Sequence, residues 1–302
     1  MAERLVGYGP NGEDIVLWRA LKDRTPGIYV DVGAFHPLDD SVTKLFSLRG
    51  WSGINIEPQP HYARLLEQDR PRDVTLGVGV GAQPGQLELF FVPEDAQRST
   101  FYEPLAASYR AEGYRVDART VPVLTLDEIL EEHPLPRIDF LKIDAEGFED
   151  EVLAGIDLSR HRPSVIVAED PGVFASTVTQ RLEAAGYRQR LFDGLNRYFV
   201  TVEEDDRLGP ALAHPATTLD GWVPAALARV EAQRDLARDE AGAALGEVAR
   251  LRGELASMRA SRAWRVSRAM AGVAKPLARG LTHARRRGRA SGLGWGRTAT
   301  DR

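Results

Sequence analysis

The stretch Ile28-Tyr29-Val30-Asp31-Val32-Gly33-Ala34 decides how this chain folds. A short apolar run flanked by Gly27 and Gly33 reads as a strand buried on both faces, with an acid, Asp31, near its end and then a glycine after Val32. At the carboxyl end of a first parallel strand, Gly33 lets the backbone approach a ligand closely. The helix N-terminus expected next favours a negative group. Asp31 there can accept hydrogen bonds from an ammonium group or an ordered water. A tight turn with a capping Asp is the plainer reading of the same residues. The G-x-G-x-x-G spacing of dinucleotide enzymes is missing.

Working outward, residues 53–57, 74–80, 138–143 and 164–168 are short apolar runs bounded by Gly, Pro or charge, and read as further strands. Between them, residues 13–22, 41–48, 61–69 and 149–154 space apolar side chains three and four apart, as amphipathic helices do. Strand–helix alternation predicts an α/β fold with a parallel sheet covered by helices on both faces. Residues 87–92 (LELFFV) and 120–124 (TVPVL) predict two extra strands, with the polar segment 93–117 inserted between them over the site's mouth. Residues 187–192 and 197–202 predict an antiparallel pair joined through Asp193-Gly194.

Further acids fall at strand ends. Glu57 closes the strand at 53–57, 26 residues after Asp31, where a carboxylate can accept both hydroxyls of a ribose. Asp139-Phe140-Leu141-Lys142-Ile143-Asp144-Ala145-Glu146 brings Asp144 to the same sheet edge as Asp31, with Glu146 just beyond. Two carboxylates there suit general-base work on a hydroxyl, and their repulsion raises one pKa. Lys142 shares the strand face of Asp144 and is its alternative partner. Glu169-Asp170 close the next strand. With Asp144 they offer three oxygen ligands of the kind Mg²⁺ takes. Glu169 equally suits orienting a substrate hydroxyl, and no metal is expected. His36, in the loop after Gly33, faces the same mouth as a substrate-binding candidate.

The 302 residues, 43% hydrophobic, suffice for a real core. Without cysteine, the chain has no disulfide, Cys-ligated zinc site or Cys nucleophile. Residues 1–10 carry no secretion signal, and no run of about 18 apolar residues occurs, so a cytoplasmic protein is expected. The net charge of −5 hides an asymmetry: residues 259–302 hold twelve Arg or Lys against the single acid Asp301. Residues 1–204 read as the enzyme domain, 205–224 with three prolines as a linker, 225–270 as a long helix, and 271–302 as a basic, disordered tail. In the helix, Leu227, Val230, Arg234, Ala237, Ala241, Ala244, Val248, Leu251, Leu255 and Met258 alternate spacings of three and four. That seam suits either an amphipathic helix docked on the body or a coiled coil joining copies of the chain. The residues beyond it, with Trp264 and Arg285-Arg286-Arg287, read either as a solvated tail or as peripheral contact with the inner face of an anionic membrane. No nucleic-acid partner is expected.

These residues resemble the FkbM-type methyltransferases. The matching stretches are Gly12-Glu13-Asp14, DVGAFHP at 31–37, Ser41 and Thr43, Gly50-Trp51 leading into NIEP at 55–58, TLDEI at 125–129, LKIDAEGFE at 141–149 and DGLNRYFV at 193–200. The resemblance implies a seven-stranded, Rossmann-like methyltransferase sheet binding S-adenosylmethionine, and O-methylation of a sugar, glycan or related natural product, here in surface polysaccharide or glycolipid biosynthesis. It places Asp31, Gly33, Ala34 and Asp144 with Glu57 around the cofactor, and Asp144 and Glu146 near the transferred methyl. Two other readings stay open: a nicotinamide-dependent oxidoreductase, disfavoured by the missing glycines, and a non-catalytic scaffold recruiting partners to a membrane through its tail.

Overall fold

The computed structural model describes residues 4–172 and 176–270. The chain begins β1 (Leu5–Gly7), α1 (Glu13–Leu21), β2 (Ile28–Val32), α2 (Lys44–Leu48), β3 (Ser52–Ile56), α3 (Pro60–Asp69) and β4 (Val74–Leu76). It continues through β5 (Gly79–Val80), β6 (Gly85–Val92), β7 (Asp95–Thr100), α4 (Glu103–Ala111), β8 (Asp117–Leu124) and α5 (Leu126–Glu132). The last part holds β9 (Phe140–Ile143), α6 (Glu149–Ala154), β10 (Val165–Glu169), α7 (Val178–Ala184), β11 (Tyr187–Phe192), β12 (Asn196–Thr201), α8 (Asp205–Leu212), β13 (Trp222–Pro224) and α9 (Ala225–Ala260).

Seven strands form the central sheet in the order β11-β12-β10-β9-β2-β3-β4. From β4 to β10 the pairs are parallel, and β12 and β11 close the sheet antiparallel. This is the expected seven-stranded, Rossmann-like sheet. Period-two alternation explains its two cores. Val30, Leu141, Ile166 and Phe199 point to one face, beneath α5, α6 and α7. Tyr29, Phe140, Val165 and Tyr198 point to the other, beneath α1, α2 and α8. From β2 the chain builds towards β4; from β9 it builds the opposite way. The neighbours β2 and β9 therefore flank the switch point, where a crevice opens beyond the strands' carboxyl ends.

Three sequence expectations need correction. The single strand expected at 74–80 is two: β4 pairs with β3, and β5 joins a second sheet of order β5-β8-β6-β7. The insertion 93–117 is ordered as β7 and α4; the sequence DAQRST of β7 has no apolar alternation to announce it. The linker at 205–224 is part of the body. Helix α8 packs on α1 and buries Leu208 and Leu212, and β13 pairs in parallel with β1. Its prolines misled because Pro210 sits within α8 and Pro224 at the end of β13. The body accordingly runs to Arg229.

Helix α9 spans 36 residues, and its seam residues Leu227, Val230, Val248, Leu251, Leu255 and Met258 are all exposed. Among the described residues no helix is long and apolar enough to cross a membrane. The basic tail at 271–302, with Arg285-Arg286-Arg287, lies outside the described residues.

Candidate active site

A cavity of about 270 Å³ opens at the switch point. Val32, Gly33 and Phe35 line it at the end of β2 and beyond, Ile56, Glu57 and Pro58 at the end of β3 and beyond, Lys142, Asp144 and Glu146 likewise at β9, and Glu169 at the end of β10. The second sheet supplies the facing wall through Ala96, Gln97, Ser99 and Phe101. This is the position expected for the insertion. It is fastened by Gln59 Nε2 donating to the Ala96 carbonyl at 3.1 Å and by a contact of Gln97 with Asp40.

Gly33 adopts φ +75°, a conformation that favours glycine. Its close neighbour is protein: a β-carbon there would lie 1.8 Å from the Asp144 carbonyl oxygen. The N–H groups of Gly33 and Ala34 donate to the Ile56 carbonyl at 3.0 and 3.2 Å. Ala34 is buried and does not line the cavity.

Glu57 is 3% exposed and lines the cavity. Its Oε2 accepts from the Phe35 N–H at 2.9 Å and its Oε1 from the Gln59 N–H at 2.7 Å. Burial pushes its pKa up to about 7, against the pull of those two N–H groups.

Asp31 does not line the cavity. On the Tyr29 face of β2, its Oδ2 accepts from the Thr43 hydroxyl at 2.6 Å, and its Oδ1 lies 3.9 Å from Lys142 Nζ. Behind Thr43, the fully buried Arg70 donates to Thr43 Oγ1, Asn55 Oδ1 and Ser41 Oγ at 2.6, 2.7 and 2.5 Å. Ser41 and Thr43 thus hold up the loop after β2. His36 also falls outside the cavity lining; its Nδ1 accepts from the backbone of Leu38 and Asp39 at 3.3 and 3.0 Å, forming a turn.

Asp144, Glu146 and Glu169 come together, with carboxylate oxygens within 4.8 Å of one another. Asp170, the third acid suggested by sequence, turns away to Arg197 at 2.9 Å, because consecutive strand residues face opposite sides. Lys142 Nζ donates to Asp144 Oδ2 at 2.9 Å. Burial opposes charge on both, but the pairing wins: Lys142 is held above the usual lysine range and Asp144 below the usual carboxylate range. Burial, and then the negative charge of Asp144, push Glu169 up to about 11, and its O–H donates a hydrogen bond to Asp144. Burial and then Asp144 push Glu146 up to about 8. Its backbone is left-handed at φ 51°, and its carbonyl accepts from the Thr100 hydroxyl of β7 at 2.7 Å. At neutral pH the cluster therefore holds one fixed charge, one fixed proton and one proton poised to move. Its three oxygens could also hold a divalent cation.

Two cavity residues escape a reading based on strand ends. Glu13 Oε1 accepts from Asn196 Nδ2 at 2.9 Å, and both line the wall beside Lys142. Asn196 stands opposite Glu169 in the β10–β12 register. Their signal was membership of the matched stretches at 12–14 and 193–200, since neither closes a parallel strand.

Comparison with curated proteins finds no match. Among solved structures, a TehB-like S-adenosylmethionine-dependent methyltransferase from Corynebacterium glutamicum aligns at a TM-score of 0.33 and 12% identity, over 63% of this chain and 87% of that one, a likeness too low to carry an argument. The family model described as the methyltransferase FkbM domain matches residues 31–189, from the middle of β2 into β11 and across the switch point. The chain belongs to the FkbM-domain methyltransferase family.

Proposed function

We propose that this chain transfers a methyl group from S-adenosylmethionine to a hydroxyl oxygen of a sugar, glycan or related natural product, in surface polysaccharide or glycolipid biosynthesis. The observation that carries the reading is that Glu57 and the Asp144–Glu146–Glu169 cluster face one cavity at the switch point.

The cavity fits such a donor. Each Glu57 oxygen already accepts one N–H and has capacity for a second donor, which suits a ribose diol. Ile56, Pro58, Val78 and Phe101 give apolar walls for a flat base. Glu13 and Asp144 bring negative charge towards a cationic ligand. Bound there, S-adenosylmethionine supplies an electrophilic methyl carbon. The chain's own work is to align an acceptor oxygen and take its proton. Glu146, with a pKa near neutrality, is the group suited to that proton. Glu169, its one O–H turned to Asp144, has only acceptor capacity left for orienting the acceptor hydroxyl, and Asp144 is fixed by Lys142.

Calorimetric titration with S-adenosylmethionine tests the cofactor, with NAD as control. Binding that weakens at least tenfold in Glu57→Ala is expected; no binding by the native chain rejects the reading. A methyl-transfer assay against nucleotide sugars and lipid-linked glycans, with and without Mg²⁺, then identifies the acceptor.

A further inference from the structure

We propose that α9 pairs with α9 of a second copy of this chain as a parallel, in-register, two-stranded coiled coil. The proposal is independent of the enzymatic reading.

The seam supplies the attraction. Its last four positions, Val248, Leu251, Leu255 and Met258, are apolar in an unbroken a-d-a-d run, and all four are exposed. A helix of 36 residues is about 54 Å long, ample for a two-stranded coil. Arg234 takes an a position, where a polar residue favours two strands and fixes register at some cost in stability.

The flanking charges identify the occupant and its direction. Taking Leu227 as position a, the g positions include Glu240, Glu247 and Glu254, and the e positions include Arg238, Arg252 and Arg259. Glu231 and Leu245 also fall at e, but from Arg238 onward every charge on the g edge is acidic and every charge on the e edge basic, so this part of the face is complementary to itself. In a parallel pair each g residue meets the e residue five positions later in the second copy. That sets Glu247 against Arg252 and Glu254 against Arg259, with no like-charge pair. An antiparallel pair sets g against g and e against e, so glutamates meet glutamates and arginines meet arginines. Within one chain, Glu247 and Glu254 already contact Arg250. A carboxylate has capacity for a further guanidinium.

The cysteine-free chain makes the test direct. Val230→Cys and Met258→Cys each occupy a d position, about 42 Å apart along the helix. The full-length chain is expected to sediment at twice its 33.3 kDa mass. Each cysteine variant alone is expected to form a disulfide-linked dimer on mild oxidation, and an equal mixture no Val230–Met258 crosslink. The double variant Leu251→Glu, Leu255→Glu is expected to be monomeric with the body's melting temperature unchanged, which separates a lost interface from a lost fold. A monomeric native chain overturns the proposal and leaves another partner for the seam. A dimer surviving the double Glu variant, or a Val230–Met258 crosslink, overturns it equally.

Discussion

Gly33 passes beneath the Asp144 backbone so closely that a β-carbon on Gly33 would lie 1.8 Å from the Asp144 carbonyl oxygen. The two strands flanking the switch point are locked at that contact, and Asp144 N–H also donates to the Val32 carbonyl at 3.1 Å. Gly33→Ala must push the two strand ends apart. We expect it to cost about 4 kcal/mol, a fall in melting temperature of about 10 °C. Gly50 is the control: it has φ +86° and nothing within 4 Å of its β-position, so Gly50→Ala bears only backbone strain of about 1 kcal/mol. Equal melting temperatures for the two variants would show that the contact does not matter.

The acid cluster predicts unequal effects of two similar substitutions. Glu169 stays protonated at neutral pH, so Glu169→Gln replaces one donor with another and should lower kcat less than about tenfold. Glu146→Gln removes the group that changes charge near neutrality and should lower kcat by about 10² or more, with cofactor affinity preserved. The native rate should rise with pH up to about 8, and this limb should vanish in Glu146→Gln. The opposite ranking in a steady-state comparison would transfer the role of base to Glu169.

Stability should fall as pH rises from 5 to 8. Asp14 and Glu149 share the upward shift of Glu57, each to about 7 and each caused first by burial. In this window the folded state holds protons that the unfolded chain has released, so unfolding becomes easier as pH rises. Each such group contributes up to about 1.4 kcal/mol per pH unit. Melting curves should shift down steadily, and Asp14→Asn should flatten the slope. A melting temperature that climbs over this range would mean these acids are ionised in the fold.

The body's boundary is testable by truncation. A chain ending at residue 204 loses Leu208 and Leu212 from the α1 face, and the Asp205 carboxylate that contacts Arg188 and Arg190. We expect it to aggregate or to melt far below the native chain. A chain ending at residue 229 should keep the melting temperature of the full-length body. Equal behaviour of the two would restore residues 205–224 to the status of a linker.

The central sheet was legible because its strands are buried on both faces and so read as continuous apolar runs at 28–32, 53–57 and 138–143. β7 and β13 were not, since DAQRST carries neither a run nor an alternation and WVP is only three residues ending in proline. In the site, strand-end logic found Glu57, Asp144 and Glu169, because the crevice opens at the carboxyl ends of the parallel strands. It misplaced Asp31, which lies one residue before the end of β2, in register with Asn55, and turns under the loop to Thr43. Nor could it find Glu13 or Asn196, which reach the wall from a helix start and an antiparallel strand.

The second sheet is one excursion of the chain, leaving the central sheet after Leu76 and returning at Phe140. Within it, 79–124 form their own hydrogen-bonded ladder, tied back by Gly81 N–H to the Leu124 carbonyl at 3.1 Å. None of Gly33, Glu57, Asp144 or Glu169 lies in this excursion. One wall of the cavity is thus a cassette: exchanging the β6–β7–α4 segment would recast the shape of that wall while the register of every strand beneath it stayed in place. Variation, natural or engineered, has a segment in which to work without touching the foundations.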